Sequence, residues 1–147
     1  MLYYLVVSTK FDILYDNYIR KEELIMNKQR IILVAIAAVG AISTFLPWAT
    51  SSIFGATISV SGLSGDGLFA LVAFIVAAVI PFIGNRTEPL PQIKFGVVAA
   101  GAIGAIVALI AFINVGGQPM LSVGFGLYLS ILVGIALAVV PFLKQLS

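Results

Sequence analysis

Four uninterrupted apolar blocks constrain this chain more than any other feature: residues 31–48, 68–83, 95–115 and 126–143 contain no Asp, Glu, Lys, Arg or His. A helix of about 20 apolar residues crosses the roughly 30 Å hydrocarbon layer of a bilayer. Uncharged blocks rich in Ala, Leu and Gly are expected as helices there, because lipid offers the backbone no alternative hydrogen bonds. Barrel strands would be shorter and would alternate in polarity, and the helices of a soluble domain would each keep a polar face. The sequence therefore predicts an all-α membrane protein with four transmembrane helices arranged as two hairpins, the spans lying at about 31–48, 68–83, 95–115 and 126–143. The second block is the shortest and fits a thin bilayer. Composition agrees, with 61% apolar residues, 10% charged residues and a mean hydropathy of +1.16, where soluble domains carry about a quarter charged residues.

The cations orient the expected spans. Lys10, Arg20, Lys21, Lys28 and Arg30 precede the first block, Arg86 and Lys94 separate the second from the third, and Lys144 follows the fourth. The segments 49–67 and 116–125 hold no Lys or Arg. The positive-inside rule then puts both termini in the cytoplasm and the two loops without Lys or Arg outside, with Trp48 and Tyr128 at the outer interface. Cys and His are absent, which removes thiol and imidazole chemistry, and the net charge of +2 suits anionic lipid headgroups rather than nucleic acid.

Residues 1–25 differ from the rest, holding four of the five tyrosines and four of the six acids. Met26 opens a short basic stretch, Met26-Asn27-Lys28-Gln29-Arg30, directly before the first block. Translation is expected to begin at Met26, since Lys21-Glu22 can be encoded by a purine-rich ribosome-binding sequence upstream. The alternative is an amphipathic cytoplasmic segment with Phe11, Ile13, Leu14, Tyr15 and Tyr18 toward the membrane. Residues 26–147 form the expected transmembrane domain.

The second and fourth blocks both begin Gly-Leu-aromatic, at Gly67 and Gly126, and both end Pro-Phe-aliphatic, at Pro81 and Pro141. The match reads as a parallel duplication or as chance likeness between apolar helices. The prolines read as tolerated bends near helix ends. Small residues recur every fourth position: Gly96, Ala100, Gly104 and Ala108 in the third block, and Gly126, Ser130, Gly134 and Ala138 in the fourth. Such ridges let helices approach closely in lipid, so the two are expected to form the central packing seam, within one chain or between copies.

Between the first two blocks, polar and apolar residues alternate from Thr57 to Leu63. A short β-hairpin is expected over the outer helix ends, with Ser52–Phe54 pairing Ile58–Val60 across Gly55-Ala56. Asp66 stands between Gly65 and Gly67, where it can cap the following helix, bond its own turn or bind a cation; the helix cap is favoured. A lone carboxylate supplies too few oxygens for a calcium site.

Phe45-Leu46-Pro47-Trp48, followed by Ser61-Gly62-Leu63-Ser64-Gly65-Asp66-Gly67, resembles small bacterial four-span membrane proteins that carry an FLPW…SG-x-x-GDG outer loop. The resemblance covers about a third of the chain. It implies a bacterial cytoplasmic membrane and marks Pro47, Trp48, Gly65, Asp66 and Gly67 as the outer-loop motif, but implies no activity. The layout is also similar to claudin-type tetraspan proteins, without their loop cysteine pair and Gly-Leu-Trp.

No phosphate-binding glycine loop, metal-ligand cluster or Ser with a His or Lys base is evident, and no charge falls inside the blocks. The expected function is that of a non-catalytic membrane protein, an accessory, assembly or scaffold component. It would need no cofactor, and its partners would be the bilayer and other membrane proteins or copies of itself. The alternative is a small oligomeric channel or transporter lined by Ser43, Thr44, Asn114 and Ser130.

Overall fold

The computed structural model describes residues 1–24, 27–85 and 92–143, and for residues 19–24 only the backbone. The described residues hold five α-helices and one three-stranded sheet. In chain order these are α1 (Leu2–Leu24), α2 (Lys28–Ser43), β1 (Pro47–Ile53), β2 (Ala56–Ser61), α3 (Gly67–Val79), α4 (Lys94–Gly116), β3 (Ser122–Val123) and α5 (Phe125–Val139). Single 3-10 turns follow β2 at Gly62–Ser64 and extend α3 at Ile80–Phe82 and α5 at Val140–Phe142. The expected start at Met26, and the cations Arg86 and Lys144 used to orient the chain, lie outside the described residues.

The expectation of four transmembrane helices in an all-α protein is corrected here. Two helices, Lys94–Gly116 and Phe125–Phe142, are long and apolar enough to cross a membrane, while Gly67–Phe82 is a shorter apolar helix. The first block falls short because α2 stops at Ser43. At about 1.5 Å per residue its 16 residues reach only about 24 Å. Pro47 has no N–H for a helix and disfavours the helical region at Leu46, so the last apolar residues of that block turn and enter β1. The Thr44, Phe45 and Leu46 amides close onto the Ala41, Ile42 and Ser43 carbonyls. At its start, α2 is capped by Asn27, whose side chain accepts from the Gln29 amide at 2.9 Å.

The sheet is antiparallel in the order β2-β1-β3. Its hairpin turns at Phe54-Gly55, both at positive φ (51° and 80°), as a two-residue hairpin loop matching strand twist requires. The register therefore differs from the expected one: Ile53 faces Ala56, Ser52 faces Thr57 and Ser51 faces Ile58. A third strand, unanticipated, joins through Ala49–Val123 and Thr50–Ser122.

Helices α2 to α5 pack in succession, α2 on α3, α3 on α4, α4 on α5 and α5 back on α2. The interior is built from small residues around a few large ones: Ala37, Ala70, Ala77, Ala100 and Ala108 surround Leu33, Phe74, Val97, Leu127 and Leu137. The outward faces carry the bulk instead, including Phe69, Val72 and Val79 on α3, Ile103, Ile106 and Ile110 on α4, and Leu132, Ile135 and Val139 on α5, all exposed. Water-soluble proteins rarely leave contiguous apolar surface of this extent uncovered. Small residues inside and large aliphatics outside is the arrangement that close helix approach in lipid favours. On α1, every side chain from Leu2 to Tyr18 is exposed.

Candidate functional site

Two polar clusters, one at each end of the helical body, hold the elements in place. At the sheet end, the Ser43 and Ser130 hydroxyl oxygens lie 2.6 Å apart, so that one donates to the other while its partner donates to a carbonyl of its own helix, Gly40 for Ser43 or Gly126, at 2.9 Å, for Ser130. The Trp48 indole donates to the Ser43 carbonyl at 3.0 Å, satisfying one of the carbonyls a helix C-terminus leaves open. A β-carbon on Gly62 would lie 2.5 Å from the indole ring, and one on Gly126 would lie 3.0 Å from it. Trp48 is thus clasped between two glycines and pins β1 onto α5. Pro47 precedes it, and the Gly124 amide donates to the Trp48 carbonyl at 2.9 Å, tying in the loop after β3.

At the opposite end, Gln29 and Arg30 are almost completely buried, 2% and 1% exposed. Arg30 donates through one guanidinium nitrogen to the Pro81 carbonyl at 2.7 Å and the Ile83 carbonyl at 2.8 Å. Gln29 donates to the Pro141 carbonyl at 3.1 Å. The two Pro-Phe turns common to the second and fourth blocks are therefore held by adjacent side chains from the first turn of α2. A guanidinium also complements the negative end of the α3 dipole. Gln29 and Arg30 were not among the expected site residues. In sequence, Arg30 is one more cation flanking an apolar block, and the only hint was that helix ends carrying proline present open carbonyls.

The small-residue ridges divide among several neighbours, and Gly134 is the member of the expected seam that joins α5 to α4. On α4, a β-carbon at Gly104 would meet the Phe74 ring at 2.7 Å, and one at Gly96 would meet Ile80 at 3.0 Å. This ridge, with buried Ala100 and Ala108, therefore faces α3. The α4–α5 seam runs one face over: a β-carbon at Gly134 would lie 2.7 Å from the backbone nitrogen of Ala105, and one at Gly101 would lie 2.6 Å from the Leu137 β-carbon. Ala138 is half-buried beside it. Gly126 and Ser130 turn instead toward Ser43, Leu46 and Trp48.

Asp66 precedes α3 but makes no side-chain cap hydrogen bond, and it is exposed. Gly65 is exposed too, with open space where a β-carbon would stand, whereas Gly67 is pressed against the Gly62 carbonyl. Asp66→Ala is accordingly expected to change stability by no more than about 0.5 kcal/mol, as read by urea unfolding in detergent. Ser130→Ala should cost about 1 kcal/mol, the net value of one buried hydrogen bond. Adding Ser43→Ala should then cost less than it does in the parent chain, because the shared bond is already gone.

Among the described residues no buried side-chain nitrogen or oxygen lacks a partner. None of their His, Cys, Asp or Glu side chains gather in groups of three or more that could hold a metal ion. Asn114 is exposed near the end of α4, and Thr44 is buried with its hydroxyl on the Ala41 carbonyl. No protein-family model matches the chain, and no curated protein matches it either.

Proposed function

We propose that this chain is a non-catalytic protein of a bacterial cytoplasmic membrane, multi-pass with both termini on the cytoplasmic side, and that it serves as an accessory, assembly or scaffold component. It acts through the outer faces of its helices and through its sheet. The observation that carries this reading is the inverted distribution of bulk, with Ala, Gly and Ser inside and Ile, Leu, Phe and Val outside on helices that hold no charge between Phe95 and Gly116 or between Phe125 and Val139. Lys94 marks the cytoplasmic end of α4 in this reading. Its ammonium lies 5.6 Å and 5.5 Å from the Phe95 and Phe142 ring centroids, a cation–π arrangement suited to an interface.

The polar inventory supports a scaffold over a conduit. Ser43 and Ser130 close on each other and on carbonyls of their own helices, as hydroxyls in apolar helices commonly do. The motif residues Pro47 and Trp48 seat the sheet, and Gly67 packs against the Gly62 turn that follows β2.

The expressed chain is expected to sediment with membranes, survive a carbonate wash and dissolve only in detergent. Ser122→Cys in this cysteine-free chain should react with a membrane-impermeant thiol reagent in intact cells, and Gln92→Cys should not. Release by carbonate, or a monodisperse protein without detergent, would sink the reading. Ion flux through reconstituted vesicles that bulky substitution at Ser130 abolishes would replace it with a channel.

A further inference from the structure

The sheet is unfinished on one side. Cross-strand partners lie on the same face, so Val123, Ala49, Val60, Ser51, Ile58, Ile53 and Ala56 share one face while Ser122, Thr50, Ser59, Ser52 and Thr57 share the other. The apolar face is covered where β1 and β3 lie, with Ala49 buried and Val123 packed against the core. It is open along β2, where Ile58 is 57% and Val60 44% exposed. In the sheet order β2 is an edge strand, and from Pro47 to Ser61 there is no charge, and no proline after Pro47 itself. Edge strands are normally guarded by charge, proline or a bulge, because their free amides and carbonyls template pairing with another strand. Here the irregularity lies at Pro47/Ala49 on β1, and β2 has no such guard. At the hairpin tip, Phe54 is held at a φ of 51° with its side chain wholly exposed, a conformation costly for a bulky residue.

We propose that β2 is a self-association edge, and that two copies of this chain pair antiparallel through it, β2 against β2, about a two-fold axis at Ser59. The edge chemistry calls for an extended strand, and the side-chain pattern calls for a copy. A two-fold at Ser59 sets Ile58 opposite the partner's Val60 and Thr57 opposite the partner's Ser61, so apolar residues meet on one face and hydroxyls on the other. Ile58 and Val60 of each copy then pack sideways against their equivalents across the new strand pair. The pairing extends the existing sheet to the order β3-β1-β2-β2-β1-β3 and consumes both open β2 edges, so it closes at a dimer as an isologous contact does. It deepens the scaffold reading by naming a partner, yet it can be tested in detergent, where membrane residence is not at issue.

Full-length chain carrying Ser59→Cys is oxidised mildly in detergent micelles. Directly opposed residues of an antiparallel pair have β-carbons about 5 Å apart, near disulfide reach, so a disulfide-linked dimer is expected as the main product. Ser52→Cys serves as the comparison. It sits on the same face but one strand inboard, so its two copies stand roughly 20 Å apart, three strand spacings across and four residues along, and it should yield at least about tenfold less dimer, being beyond bonding distance. Adding Ile58→Lys to Ser59→Cys should abolish the dimer by placing charge on the edge. Emission from the single tryptophan, Trp48, reports that the sheet stays seated in each variant. A monomeric Ser59→Cys with unchanged Trp48 emission overturns the proposal. So does equal cross-linking from Ser52→Cys, an unaffected Ile58→Lys variant, or a mixed disulfide with a different protein in place of the dimer.

Discussion

Arg30→Met is expected to destabilise the folded chain by about 3–5 kcal/mol, the loss of two buried hydrogen bonds from a charged donor. Arg30 is 1% exposed and supplies hydrogen bonds to the Pro81 and Ile83 carbonyls, 51 and 53 residues away. Methionine fills a similar volume, so the loss isolates the hydrogen bonds from the packing. Hydrogen bonds to charged donors contribute about 1.5–3 kcal/mol each, and the carbonyls left behind sit where the 3-10 turn at Ile80–Phe82 has already used the amide of Ile83. Arg30→Lys should recover part of the loss, since an ammonium keeps a charged donor but lacks the fixed donor directions of the planar guanidinium. Gln29→Leu, which removes one neutral hydrogen bond to Pro141, should cost only about 1 kcal/mol. Urea titration in detergent, followed through Trp48 emission, ranks the three. If Arg30→Met unfolds at the same midpoint as Gln29→Leu, the clamp does not fasten α3 to α2.

How far the sequence carried depends on whether each feature is local. The third and fourth apolar blocks correspond to α4 and to α5 with its terminal turn because each is long, uninterrupted and free of competing signals. In the first block hydropathy misled, since Phe45, Leu46 and Trp48 are as apolar in a turn or strand as in a helix, and the decisive residue was Pro47. Alternation around Thr57–Leu63 gave the hairpin but not its register. The turn uses Phe54 at positive φ, a choice no propensity favours. Strand β3 has two residues and exists only through its pairing with β1, so nothing local could announce it. The clamp is equally non-local: Arg30 and Pro81 are each legible, but their contact is tertiary. The same limit applies to the ridges. A four-residue period says that a helix can approach something closely, and does not say what.

That ambiguity in the ridges makes a sharp contrast between two glycines of one expected seam. Gly134→Ala should cost about 2–3 kcal/mol, whereas Gly96→Ala should be neutral or slightly stabilising, despite both being alanine substitutions within helices. On propensity alone each would gain up to about 1 kcal/mol. At Gly134 the new methyl would meet the nitrogen and α-carbon of Ala105 at 2.7 and 2.8 Å. Those are backbone atoms of α4 that no side-chain rotation can withdraw, so α4 and α5 must separate. Overpacking of that kind typically costs 1–3 kcal/mol, and along a glycine seam the retreat also loosens Gly101 against Leu137. At Gly96 the methyl would meet only the tip of the Ile80 side chain at 3.0 Å, which can swing aside. Denaturant midpoints of the two variants in the same detergent decide the matter. Equal midpoints would mean that α4 and α5 are not held by the Gly101–Ala105 and Gly134 faces, and that the closest approach in the protein lies on the Gly104–Phe74 side instead.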